Sequence, residues 1–336
     1  MGTTTLQNPA EKTSFKEQFY KDITNGLLSE PRHLDSKYFY DAEGDKLFQE
    51  IMKCDEYYLT NCEMEIFTSQ TAAIASQLRG DGSPFDLIEL GAGDATKSIH
   101  LLRQLQSDGI EFTYVPVDIS GNVIAELNAS LPKLLPGLKI EGLEGEYFEM
   151  LKKAAELSPR RKVVLFMGSN IGNMTTARAA SFTASLRRYL STGDIAVIGF
   201  DLKKDPQTIR AAYDDSEGIT SRFNLNLLKR INNELGADFN LDKFKHYASY
   251  DPETGSCKSY LISSEKQEVH MPGIPVLQFE KDEYIHMEIS QKYTIDEVTE
   301  LATRSGFDVM QNFLDSKNWF LDTVWRARQL DVGDKL

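Results

Sequence analysis

With 336 residues, 41% of them hydrophobic, the chain can build one large core or two. A net charge of −14 excludes a general nucleic-acid footprint and describes a solvated, acidic surface. Cys54, Cys62 and Cys257 form no metal spacing and are an odd number, and the five histidines show no HxxxH or Cys-paired pattern, so neither a disulfide scaffold nor a metal site is expected.

In chain order, residues 1–67 carry helical patterns, aromatics and charge without a strand series. The start has no basic-then-apolar leader, and Met1-Gly2 lacks the Ser or Thr at position 6 that lipidation would need. No apolar run reaches spanning length, so a cytoplasmic protein with no membrane partner is expected. The segment from Phe85 to Asp94 then reads as a buried strand entering a glycine turn and a helix. Gly91 and Gly93 allow a sharp turn and a close ligand, Asp94 fits an N-cap, and Ile99, Leu101, Leu102 and Leu105 mark one helix face. A second strand over Thr113–Val117 ends at Asp118, whose carboxylate can accept both hydroxyls of a ribose. Thr96 stands where a dinucleotide fingerprint has its third glycine, which favours a sulfonium nucleotide over a nicotinamide one.

Further strands are expected over Lys162–Met167 and Ile195–Phe200, with a helix around Ala177–Leu190 between them. Such alternation predicts a parallel sheet covered on both faces, with ligands at the carboxyl ends of its strands. After Asp201 the rhythm breaks into an inserted lobe of helices and short strands. It then returns to α/β, with a strand near Ile285–Ile289, a helix near Ile295–Gly306, and strands near Asp308–Leu314 and Trp319–Trp325.

Four segments sharpen this picture: Lys37-Tyr38-Phe39-Tyr40-Asp41 with Gly44, Leu47 and Phe48; Glu56-Tyr57-Tyr58-Leu59-Thr60; Gly168-Ser169-Asn170-Ile171-Gly172-Asn173; and Met287 to Tyr293. With Tyr213-Asp214-Asp215 and the Gly91 turn, they make the chain resemble, from about residue 20 to about 327, the histidine Nα-methyltransferases of ergothioneine biosynthesis. The resemblance implies a seven-stranded, mostly parallel class I (Rossmann-like) methyltransferase sheet with a second α+β lobe. It places the S-adenosylmethionine domain over 68–202 and 287–336 and the substrate lobe over 1–67 and 203–286. It also implies trimethylation of the histidine α-amine to the betaine hercynine, with S-adenosylmethionine as cosubstrate and no metal. Gly91, Lys97, Asp118, Glu146 and Tyr147 match cofactor contacts, the last two standing where the family more often has Asp-Phe. Tyr40 matches a position near the reacting amine, and Tyr57, Asn173, Tyr213, Glu288 and Ser290 match amino-acid contacts. A small-molecule substrate and a monomer are expected.

The residue chemistry is compatible with those roles. Glu288 and Ser290 are two apart on a strand, so they share a face and can hold both nitrogens of a polar ring. The Asn173 amide and the Tyr213 phenol can donate to a carboxylate. By pattern alone, Glu288 and Ser290 equally fit a solvated strand face, Asn173 a turn, Tyr57 and Tyr213 packed aromatics, and Lys97 a surface helix residue. Within the same fold, tryptophan or a prenylated tryptophan is the competing substrate, and the stretch around Ser259-Tyr260 is where such a shift would sit.

Overall fold

The computed structural model describes residues 9–329, so the N-terminal residues read above for a leader or lipid signal lie outside it. The chain divides into two compact units, residues 1–57 with 205–290 and residues 58–204 with 291–336. The cuts thus fall after Tyr57, Lys204 and Ser290, where the sequence reading set them after residues 67, 202 and 286.

The first unit begins with α1 (Pro9–Leu28) and α2 (Ala42–Ile51). The larger unit follows with α3 (Tyr58–Ser69), α4 (Thr71–Arg79), β1 (Phe85–Leu90), α5 (Ser98–Ser107), β2 (Phe112–Asp118), α6 (Gly121–Leu134), β3 (Lys139–Ile140), β4 (Leu143–Glu144), α7 (Tyr147–Leu157), β5 (Arg161–Phe166), α8 (Thr176–Arg188) and β6 (Ile195–Asp201). The insertion supplies α9 (Pro206–Ala211), α10 (Ile219–Leu235), β7 (Phe244–Asp251), β8 (Ser256–Ser263), β9 (Gln267–Val269), β10 (Leu277–Phe279) and β11 (Tyr284–Gln291). The chain ends with α11 (Ile295–Arg304), β12 (Phe307–Leu314) and β13 (Phe320–Ala327) in the larger unit.

The central sheet runs β12-β13-β6-β5-β1-β2-β3. β3 and β4 share the outer edge of β2, through Thr113↔Lys139 and Val117↔Leu143, so the two fragments fill one of seven strand positions. Every pairing from β3 to β6 is parallel, while β13 is antiparallel to β6 and to β12. β1 and β6 are buried along their whole length, as expected of strands covered on both faces. On one face Ile88, Val164, Phe166, Ile198 and Phe200 pack with Leu151 and Ala154 of α7, Phe182 and Leu186 of α8, and Val298 and Ala302 of α11. Residues 58–67, read as part of the other lobe, form most of α3, which packs on β13 and α5.

In the smaller unit, Phe19, Ile23 and Leu27 of α1 and Leu47 and Ile51 of α2 share one core with Phe223, Leu227 and Ile231 of α10. Phe244, Leu261, Ile285 and Met287 close it from the sheet β11-β8-β7. The sequence reading counted residues from 287 on with the cofactor domain, whereas β11 pairs in this smaller sheet and its buried Ile285 and Met287 belong to this core. The Asp251–Gly255 turn closes the β7–β8 hairpin.

Candidate active site

At the carboxyl end of the central sheet, β1 runs out into Gly91, with φ +72°. A Cβ there would stand 2.9 Å from the Tyr147 hydroxyl and 3.4 Å from Asn170 Nδ2, so glycine serves both the left-handed backbone and the close approach. Asp94 does not cap the helix. Its Oδ1 accepts the Thr96 N–H at 3.0 Å within the turn, and α5 starts only after Lys97, because Gly93 and Ala95 also take positive φ and the chain cannot yet wind.

Asp118 ends β2 next to this turn. Its Oδ1 accepts the Ser120 N–H at 3.0 Å and its Oδ2 the Gly93 N–H at 3.2 Å, so backbone donors aim the carboxylate and leave lone pairs for two ligand hydroxyls. Glu146 is exposed just before α7 and makes no cap bond. Tyr147 opens α7, and its phenol is pushed up to about 12 by burial and by the nearby Asp118 and Glu146. It is a neutral donor at any physiological pH. Lys97 is ion-paired with Glu63, and its Nζ lies 3.7 Å from where a Gly168 Cβ would be. Gly91, Lys97, Asp118, Glu146 and Tyr147 thus all stand where β1, β2, β4 and β5 end. A glycine cradle, an aimed diol acceptor, an acid and an aromatic fit S-adenosylmethionine, whose adenosine needs those partners. Asn173 is exposed at the end of the single helical turn Asn170–Asn173 after β5, in the same unit.

The remaining predicted residues belong to the smaller unit. Asp41 caps α2 by accepting the Gly44 N–H at 2.7 Å and also accepts the Asn226 amide of α10 at 2.8 Å. Gly44 sits against the Phe39 carbonyl, where no Cβ fits, which accounts for its place in the motif. Tyr40, held just before this cap, is exposed, with its ring edge-on to Phe48 at 5.6 Å and to Phe223 at 5.7 Å. Phe48 meets Tyr57 at 6.3 Å, and Tyr57 meets Tyr213 at 6.2 Å. Glu56, beside Tyr57, accepts the Ser216 hydroxyl at 2.7 Å, and Asp215 accepts the Ile219 and Thr220 N–H groups at 2.7 Å each, so the chain is anchored twice just after Tyr213. The Tyr213 hydroxyl then lies 2.5 Å from Ser290 Oγ. Glu288, half-buried, shares that strand face. Tyr40, Tyr57, Tyr213 and Ser290 form one line of contacts through Phe48, with Glu288 beside its end.

The sequence reading did not single out Glu63, Asp322 and Phe223. Glu63 and Asp322 are buried acids, and no local spacing distinguishes them from surface charges. Among the described residues no group of three His, Cys, Asp or Glu side chains is arranged to hold a metal ion, and no helix is long and apolar enough to cross a membrane.

A mostly parallel sheet with an antiparallel β13, a glycine turn after β1 and an aimed acid after β2 define a class I S-adenosylmethionine-dependent methyltransferase. The model of the histidine-specific, S-adenosylmethionine-dependent methyltransferase family matches residues 19–327, and the chain belongs to that family. It is 32% identical to the histidine Nα-methyltransferase of Mycolicibacterium smegmatis, over 95% of this chain and 96% of that one. It is 28% identical to ergothioneine biosynthesis protein 1 of Schizosaccharomyces pombe, over 83% of this chain and 37% of that longer one. A 4-dimethylallyltryptophan N-methyltransferase of Epichloe festucae var. lolii is 25% identical over 87% of this chain and 90% of that one.

Proposed function

We propose that this protein trimethylates the α-amine of L-histidine, giving hercynine for ergothioneine biosynthesis. The observation that carries the reading is the buried Tyr213–Ser290 hydroxyl pair with Glu288 on the same strand face, at the end of the aromatic line from Tyr40. A polar ring with two nitrogens suits a hydroxyl and a carboxylate. An indole offers a single N–H and would leave one of them unpaired, at about 1–3 kcal/mol.

S-adenosylmethionine, when bound, supplies an electrophilic methyl group. Gly91, Asp118 and Tyr147 hold the adenosine, and the Lys97 ammonium suits the carboxylate of the amino-acid moiety. On the substrate side, Tyr213 donates to the histidine carboxylate while Glu288 and Ser290 fix the ring. Orientation of this kind supplies several kcal/mol of the barrier reduction. Three protons leave the α-ammonium as three methyl groups arrive. The Tyr40 hydroxyl is the proposed relay, giving its own proton to solvent from its exposed position as it takes one from the amine. The rings of Tyr40, Phe48 and Tyr57 offer faces to an amine that becomes permanently cationic. The proposed protein is a cytoplasmic monomer.

The test is an assay with S-adenosylmethionine and each of the twenty amino acids, read by product mass. Histidine carrying three added methyl groups is expected. Turnover of tryptophan with none of histidine would overturn the reading.

A further inference from the structure

The cofactor end of the larger unit rests on a buried acidic cluster that no step above uses. Glu63, on α3, is 1% exposed. Its Oε1 accepts the Gly168 N–H at 2.7 Å, and its Oε2 takes the Lys97 ammonium. Asp322 of β13 stands behind it, fully buried, with no N–H or hydroxyl donor on either carboxyl oxygen and Glu63 as its hydrogen-bonding neighbour. Room for the two acids comes from Gly199, cross-strand from Asp322, where a Cβ would lie 2.7 Å from Glu63 Oε1 and 3.1 Å from Asp322 Oδ1. An ion without a partner is not tolerated in such a place. Burial and the neighbouring Glu63 hold the Asp322 carboxyl well above the usual range, so it is a neutral acid and Glu63 is left as the counter-ion of Lys97. Burial alone would lower the Lys97 ammonium; the Glu63 carboxylate above all, with Glu89 of β1 behind it, reverses that and raises it.

We propose that Glu63 is a positioning residue for the cofactor. With one carboxylate it fixes both the Lys97 ammonium and the Gly168 turn, whose Asn170 amide lies against Gly91. Four elements of the larger unit (α3, α5, and the ends of β1 and β5) are referred to a single buried group. The proposal rests on reading Gly91 and Lys97 as cofactor contacts.

The test measures S-adenosylhomocysteine binding by calorimetry, from about pH 7 to about pH 9.5, for the wild type and for Glu63→Gln/Asp322→Asn. The double variant is used because Asp322 would ionise in place of a missing Glu63. Lys97 then faces only Glu89, itself bonded to Tyr114 of β2, and burial pulls its pKa down. The expected result is binding at least tenfold weaker at neutral pH, with the ratio to wild type widening several-fold as pH rises. A merely structural defect would weaken binding by a constant ratio. Gly199→Ala gives a second route that removes no charge: crowding Glu63 should weaken binding several-fold at a ratio constant with pH. Affinity within twofold of wild type in both variants, or a ratio for the double variant that does not widen with pH, would overturn the proposal. Absence of binding to the wild type would instead overturn the assignment of the cofactor contacts.

Discussion

Ser290 is buried with its hydroxyl against the Tyr213 phenol, whereas Glu288, two residues earlier, is only half-buried. The hydroxyl pair is built into the unit, and the carboxylate is the more solvent-accessible group on that face. Replacing it should therefore change binding more than folding. Glu288→Gln is expected to weaken histidine binding at least tenfold, the equivalent of losing one hydrogen bond to a charged group at about 1.5–3 kcal/mol, while leaving S-adenosylhomocysteine affinity within about twofold. Calorimetry with each ligand decides it, and equal loss of both would sink the ring-recognition role. A second residue-scale expectation concerns Glu89, whose carboxyl burial pushes up to about 7 although the Tyr114 and Ser98 hydroxyls pull the other way. A carboxyl whose folded pKa is raised contributes stability at low pH and loses it as pH climbs from its unfolded value through 7. Glu89→Gln has no such proton to lose. Its stability relative to wild type should therefore grow by about 2.5 kcal/mol between pH 5 and pH 8 in urea unfolding. Parallel pH profiles would refute the assignment.

At the scale of elements, the turn after β1 joins backbone strain to packing. Alanine at position 91 would carry the left-handed backbone cost of about 1–2 kcal/mol and place its Cβ 2.9 Å from the Tyr147 hydroxyl. Gly91→Ala should lower the melting temperature and weaken S-adenosylhomocysteine binding at least tenfold. Gly91→Ala/Tyr147→Phe should recover part of the melting temperature, since it removes the crowding and keeps the strain. No recovery would mean that the contact with Tyr147 is not what the glycine avoids. The same turn shows how far local reasoning reaches. Gly91, Gly93 and Asp118 were legible because strand, turn and acid are close in sequence. The start of α5 was not, because the sequence offers Asp94 as a good cap and only the positive φ at Gly93 and Ala95 delays the helix. The sheet that β11 joins was not legible for a different reason. Alternation identifies its buried residues as Ile285 and Met287, but period-two burial is the same whichever sheet the strand joins.

At the scale of the whole molecule, two cores imply two responses to ligand. S-adenosylhomocysteine at about a hundred times its Kd should stabilise the folded protein by about 2.7 kcal/mol. Hydrogen exchange should slow most around Gly91–Ala92 and Asp118–Ser120, with less change in the β7–β8 hairpin of the smaller unit. Slowing confined to the hairpin would reverse the assignment of the cofactor to the larger unit. Histidine added afterwards should extend protection to the Tyr213 segment and β11.

The sequence by itself determined the class of cofactor and the alternating α/β sheet. The signals for both are local: a glycine turn between a strand and a helix, an acid one strand later, and the order of apolar runs. It also pointed to the amino-acid residues, through motifs scattered over some two hundred and fifty positions. Only the tertiary structure decided which sheet β11 joins, that Tyr213 and Ser290 meet through their hydroxyls, and that Glu63 and Asp322 are buried together beneath Lys97. Those are contacts between distant segments. A carboxylate that reads as surface charge becomes an anchor only when the fold removes its water and brings an ammonium and a backbone N–H to it.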